Sequence, residues 1–259
     1  MIVLFHAFAR ELAPLRKKFE GLAALTEHGL RGFRGRLKQR EISAIATGIG
    51  AGRARDAATR AIAAYPNAEL VISSGVAGAL SEGLEAGDLI IADQLMIGRE
   101  DHTAQGSIAI DPVRIKDLER ALDRGSISYS RGAMLTTLTV LAASASKRMA
   151  KERSGAIAVD MESAVIGEVF AAADRPFLCI RAILDAVGDE LPGAELSDSD
   201  GRVKPGAAVG FFLRNPGAIM KMPRLIANLS RATAALSRAI EAICQEGGAP
   251  PRSNSGRPS

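Results

Sequence analysis

The stretch from Ala156 to Glu190 constrains the chain most. It reads AIAVD, then MESAVIGEVFAAADR, then PFLCIRAILDAVGDE. The two apolar runs are too short for helices and rich in Ile, Val, Phe and Leu, which predicts buried strands. Between them Ala164, Val165, Val169 and Ala172 recur at helical spacing. A strand, helix, strand unit of this kind belongs to an α/β fold with parallel strands. Polar side chains just past strand ends in such a sheet face the ligand crevice. Glu162 and Asp185 both fall at such ends, so carboxylates from two strands can meet at one site.

The length, 259 residues with 47% hydrophobic, suits one large α/β domain, read as residues 1–246. Residues 247–259, GGAPPRSNSGRPS, have the composition of a disordered tail. The net charge of +4 raises the question of nucleic acid, but Lys and Arg are dispersed and aromatics make up 4%, too few for stacking platforms. Cys179 and Cys244 form no CxxC and have no nearby His, which argues against a disulfide framework and against zinc and predicts no bound metal. The opening run MIVLFHAFAR is too short to span a bilayer and lacks a basic leader region. It reads as the first buried strand of a cytoplasmic protein with no transmembrane segment.

Ile2–Phe5 is that strand, and the turn after it leads to a helix with Leu12, Leu15 and Phe19 on its apolar side. His6 and Arg10 sit at the junction; His6 reads as structural, whereas Arg10 is either a solvated first-turn residue or a fork for a phosphate or carboxylate. Arg31, Arg34, Arg36, Lys38 and Arg40 fit the solvated face of a hairpin or meander edge. Next comes a strand over Glu41–Thr47, the turn Gly48-Ile49-Gly50-Ala51-Gly52 and a helix over Arg53–Ala64. Glycines between strand and helix either converge backbone N–H groups on an anion or merely pack helix on sheet. The G-x-G-x-x-G spacing of a dinucleotide site is absent, and Glu69 opens the next strand instead of closing it. Leu70–Ser73 reads as a strand ending in a second glycine turn, Ser74–Gly78. Ile97–Asp111 reads as a long loop, in which His102 beside Asp101 lacks a nucleophile to serve. The final helix carries the stripe Leu225, Leu229, Leu236, Ile240 and Ile243.

The GIG turn (Gly48–Gly50), SGVAG (Ser74–Gly78), GDLIIAD (Gly87–Asp93), VDMESA (Val159–Ala164) and PFLCIRAILD (Pro176–Asp185) resemble, in order and approximate spacing, the motifs of the nucleoside phosphorylase superfamily. The likeness runs from the first strand to about residue 187 and is greatest to methylthioadenosine/adenosylhomocysteine nucleosidase-like members. FFLRNP and the long last helix are similar to the hopanoid-associated phosphorylases. The resemblance implies a single-domain, three-layer fold with a central mixed twisted sheet flanked by helices, and a homo-oligomer in which a neighbouring loop, here Ile97–Asp111, closes the 5′ side.

It also implies a reaction. Breaking a purine nucleoside's C–N bond requires stabilising an oxocarbenium-like sugar, protonating the base and placing a nucleophile below the ring. Glu162 suits the first task by accepting the ribose hydroxyls; read without the resemblance, it equally suits a first-turn acid at a helix N-terminus. Met161 is expected against the sugar, and Asp160 as a helix cap. Asp185, among Ile183, Leu184, Ala186 and Val187, is expected to be the acid for N7, its bland alternative being a strand-end cap. Arg181 is expected beside the base pocket.

Three departures from the family pattern bear on the nucleophile and substrate. Aligning HAFAREL on the first turn puts Arg10 where the nucleosidases hold a water-activating glutamate, so phosphate held by Arg10, Gly48 and Gly50 is the expected co-substrate, with no further cofactor. The family's purine-stacking aromatic falls at Val140. Its two serines fall at Val76 and Leu184. An apolar pocket of this kind suits a large hydrophobic 5′ group, and phosphorolysis of adenosylhopane with release of adenine is the leading expectation. Hydrolysis of methylthioadenosine-type substrates and a non-catalytic nucleoside-binding protein are its alternatives.

Overall fold

The computed structural model describes residues 1–191 and 216–245. The expected tail at 247–259 and most of the FFLRNP segment lie outside the described residues. Among the described residues, ten strands and six α-helices follow the order β1 (Ile2–His6), α1 (Ala13–Arg16), β2 (Glu20–Leu25), β3 (Gly32–Leu37), β4 (Arg40–Ala46), α2 (Ala51–Ala64), β5 (Leu70–Ala79), β6 (Leu89–Gly98), β7 (Ala104–Ala109), α3 (Pro112–Arg124), β8 (Ser130–Thr136), α4 (Ser144–Ser154), β9 (Ala158–Asp160), α5 (Ser163–Ala172), β10 (Phe177–Asp185) and α6 (Pro216–Gln245).

The strands make one mixed sheet that closes on itself. β5 pairs with β10, β10 with β6, β6 with β8, β8 with β9 and β9 with β5, so five strands form a ring, and β1, β4, β3 and β2 extend from it. β1, β4, β5 and β10 run in one direction; β10–β6 and β5–β9 are antiparallel, so β6, β8 and β9 run the other way. Strands buried on both faces need continuous apolar runs. IVLFH in β1 and FLCIRAI in β10 supply them, and every residue of both runs is buried. Helices cover the sheet: α2 packs on α5, while α6 lies on β10 and β5 and contacts α1 and α3. In α6 the expected stripe is the packed one, with Leu236, Ile240 and Ile243 buried and Arg231 and Arg238 exposed.

Several local expectations change. The helix after β1 is a single turn, α1, because Phe8–Glu11 are spent on a bend. Ser74–Gly78 is not a turn: β5 runs through it to Ala79, paired along its length with β10 and at its end with β9. Ile97–Asp111 is not a free loop, since Ala104–Ala109 folds back on β6 as β7. His102 sits in that hairpin's connection, away from the cleft described below. The basic stretch does form the β3–β4 hairpin, extended by β2.

Candidate active site

The turn after β1 supplies a group that the sequence reading passed over. Glu11 is buried, and its carboxylate folds back over the turn that carries it. Oε2 accepts from the backbone N–H of Ala7 at 2.6 Å and of Phe8 at 3.1 Å. Oε1 accepts from Val76 N–H in β5 at 2.9 Å. A chain leaving a strand strands such donors, and a carboxylate three or four residues on can reach back to satisfy them. Burial raises the proton affinity of Glu11, opposed first by the Arg181 guanidinium and then by these N–H groups.

Arg10, one residue earlier, is exposed and does not line the cleft. The glycine amides expected to cradle phosphate with it are occupied. Gly48 N–H donates to Ala7 O at 3.0 Å, prolonging the β1–β4 pairing, and Gly50 N–H donates to Glu162 Oε1 at 2.8 Å. The structure does not bring Arg10, Gly48 and Gly50 together as expected for phosphate: the arginine is exposed, and the two amides already donate to Ala7 O and to Glu162 Oε1. Both glycines do need their residue type, with φ of 80° and 103°.

Glu162 follows β9, buried, at the start of α5. Its carboxyl is pushed up to about 8 by burial and by neighbouring Asp160, with Arg181 and the Gly50 amide working against them. Asp160 caps the same helix, accepting from Ser163 N–H at 3.2 Å, and also accepts from Thr136 Oγ1 at 2.7 Å.

Arg181 is not a wall of the base pocket. It is fully buried in β10, its Nε donating to Asp160 Oδ2 at 2.9 Å and its Nη2 to Ser163 Oγ at 2.8 Å and Ser73 Oγ at 3.0 Å. Its carboxylate partner is Asp160, not Asp185. It supplies a fixed positive charge beneath Glu11 and Glu162.

Asp185 ends β10 and is buried. Burial raises its proton affinity, while Lys147, whose ammonium bonds to Oδ2, opposes the rise. Lys147 is the second group missed from sequence: within SASKRMAKERS it is indistinguishable from its solvated neighbours. Met161, Val76, Val140, Glu162 and Asp185 all line one cleft of about 670 Å³ together with Glu11. The remaining wall is mostly apolar: Ala7, Phe8, Ile49, Ala77, Leu141, Val159, Leu184 and Leu191. Four buried carboxyls, Glu11, Asp160, Glu162 and Asp185, from three separate places in the fold thus line one largely apolar space. Such an arrangement can favour a developing cation and move a proton.

Comparisons with known proteins bear on the family and the fold. The family model described as Phosphorylase superfamily matches residues 1–209. A 5′-methylthioadenosine/S-adenosylhomocysteine nucleosidase of Staphylococcus aureus (strain bovine RF122 / ET3-1) is 26% identical over 209 residues, 76% of this chain and 90% of that protein. The nucleosidase of the same name from Staphylococcus haemolyticus is 26% identical over 198 residues, 71% of this chain and 86% of that one. Among solved structures, the 5′-methylthioadenosine/S-adenosylhomocysteine nucleosidase of Neisseria meningitidis in complex with methylthio-immucillin-A superposes with a TM-score of 0.73 at 21% identity, covering 93% of this chain and 97% of that one. A futalosine hydrolase mutant of Helicobacter pylori gives 0.72 at 18% identity, with the same coverage.

Proposed function

This chain belongs to the phosphorylase superfamily, and we propose that it hydrolyses the N-glycosidic bond of a purine nucleoside modified at the 5′ position, releasing adenine. The observation that carries this reading is the buried Glu11 carboxylate, held by three backbone N–H groups at the edge of the cleft that Glu162 and Asp185 also line. A carboxylate of raised proton affinity in an apolar wall is suited to the role of general base.

The reaction balances with these groups alone. Water attacks the anomeric carbon and gives a proton to Glu11. The bond from that carbon to the purine nitrogen breaks, its electron pair going to the base, and Asp185 delivers a proton to N7. Glu162 accepts the ribose hydroxyls, and its ionised form gains as the sugar becomes positive. Met161 lies at the cleft beside Glu162, and Val76 and Val140 offer an aliphatic wall to the base and the 5′ group.

The relatives named as nucleosidases support hydrolysis over phosphorolysis. So does the exposure of Arg10, on which the phosphate reading rested. The apolar lining supports a non-polar 5′ substituent, the feature that first suggested adenosylhopane. The test is adenine release from methylthioadenosine and from a long-chain 5′-alkyl adenosine, each with and without inorganic phosphate. Rates independent of phosphate, with free ribosyl sugar as the second product, are expected. A rate that needs phosphate and yields the sugar 1-phosphate overturns hydrolysis; binding without adenine release favours a non-catalytic nucleoside-binding protein.

A further inference from the structure

Lys147 has no part in the reaction as written, yet it is fully buried beside Asp185. A lysine is rarely enclosed unless its charge and its three N–H bonds all find partners. Here they do. Besides Asp185 Oδ2, the ammonium donates to the carbonyl oxygens of Ala186 at 2.8 Å and Asp189 at 2.9 Å. One α4 side chain therefore grips both ends of the turn that follows β10. The turn is closed from within as well, Asp189 Oδ2 accepting from Ala186 N–H at 3.1 Å, and Arg224 of α6 pairs with Asp189 Oδ1 at 2.8 Å. Among the described residues no hydrogen bond goes to Asp185 Oδ1, and the residue lines the cleft.

We propose that Lys147 is a positioning residue for departure of the base: by clamping Oδ2 of Asp185 and two carbonyls of the 185–189 turn, it presents Oδ1 of Asp185 to the imidazole edge of the purine. The inference rests on the nucleosidase reading of the cleft. A clamp of this kind leaves a signature in pH. The charged groups around Asp185 are Lys147 from α4, Asp189 in the turn with Arg224 of α6 behind it, and, on the same cleft, Glu11 after β1, Asp160 at the end of β9 and Glu162 just past it. Of these, Lys147 opposes protonation of Asp185 most directly, whereas Asp189 favours it. Protonated Asp185 is the form that donates, so activity falls as pH rises through its titration. Removing Lys147 moves that fall to higher pH.

The experiment compares wild type, Lys147→Met and Lys147→Gln in two readouts. In kinetics, kcat is expected to drop tenfold or more at the plateau with KM changed less than threefold, and the alkaline limb to move upward by at least one pH unit. In carbon NMR of carboxyl-labelled protein, with the Asp185 signal assigned from Asp185→Asn, the Asp185 titration should move the same way. Unchanged titration and an unchanged limb in a folded variant overturn the proposal. If neither variant folds, wild type decides: the Lys147 Cε signal should respond in the pH step in which Asp185 titrates, and its failure to respond is the overturning result. If wild type cleaves no nucleoside, the nucleosidase reading fails in the assay, while the titration still reports separately on the clamp.

Discussion

Glu11 and Arg181 approach each other over a position without a side chain, Gly75. β5 and β10 are parallel, with Arg181 directly beside Gly75, and a Cβ there would collide with Arg181 Nη1 and Glu11 Oε1. The backbone also adopts φ of 151° at this glycine, where other residues are strained. The gap lets a buried cation lie close enough to temper the proton affinity of the base while the neighbouring Val76 N–H holds the carboxylate. Gly75→Ala should cost about 1–3 kcal/mol of stability from backbone strain and displace both side chains. Adenine release should fall by roughly 10² or more if Glu11 is the base. Wild-type turnover with unchanged stability would show that the close approach has no consequence.

The contrast between Arg10 and Glu11 is a direct test of the nucleophile. Glu11→Gln keeps the shape and one acceptor oxygen but removes the base, and should lower kcat by roughly 10² to 10⁴, the span for loss of a positioned acid or base. Arg10→Ala removes only an exposed side chain and should leave both turnover and its phosphate independence within about twofold, as surface changes do. The measurement is steady-state adenine release for both variants across phosphate concentrations. A Glu11→Gln enzyme of full activity, or an Arg10→Ala enzyme with a raised phosphate KM, would reverse the assignment.

That one-residue difference marks where the sequence stops being legible. Strands such as IVLFH and FLCIRAILD, and the carboxylates that close them or follow them, are readable because burial on both faces demands continuous apolar runs and breaks off abruptly at a polar site. Asp185 and Glu162 were visible for that reason. Which residue of the bend Phe8–Glu11 turns inward depends on where the backbone donors of Ala7, Phe8 and Val76 point, and that is a three-dimensional fact. The same holds for Gly75, whose neighbours in sequence suggest a turn until β10 pairs alongside. The resemblance implies Arg181 beside the base pocket, and on an ideal strand its four-residue spacing would put it on the same face as Asp185; the register shift between Ile183 and Asp185 breaks that alternation. Asp160, Ser163 and Ser73 absorb its donors, and it does not line the cleft.

Glu162 should make the empty enzyme less stable as pH rises. Its folded value of about 8 lies above the ordinary glutamate value of 4.5. For a carboxyl raised on folding, the associated stability is full below the unfolded value and is lost as pH climbs through the folded one. The loss therefore spans about pH 4.5 to 8, and by proton linkage is on the order of 4–5 kcal/mol. Glu162→Gln can still accept from Gly50 N–H but has no proton to lose. Thermal melting should show the variant gaining on wild type steadily from pH 5 to pH 8, while its turnover collapses. A constant difference across that range would mean that Glu162 is ionised throughout. The preference for ribosyl over 2′-deoxyribosyl substrates should also shrink in any residual activity, since the hydroxyl acceptor has lost its charge.

Arg181 separates a structural role from a binding one. Its guanidinium is enclosed with Asp160 in a network that includes Ser73 and Ser163, and Cys179 Sγ lies 3.1 Å from Ser163 Oγ. Removing one member of a buried pair leaves the other charge without compensation, which costs about 3–5 kcal/mol. Arg181→Met should therefore lower the denaturant midpoint strongly. Pairing it with Asp160→Asn should recover much of the loss, because the stranded charge goes with it. The recovery will be incomplete, since Asp160 also caps α5 and accepts from Thr136, tasks that an asparagine amide fills less well. The double variant should still bind substrate with KM changed only a few-fold, but with lower kcat, because Glu11 and Glu162 lose the positive charge that favours their ionised forms. Denaturant unfolding of the two single variants and the double, read as a double-mutant cycle, isolates the pair's coupling. A stable Arg181→Met protein whose only defect is a raised KM would place the guanidinium on the substrate instead.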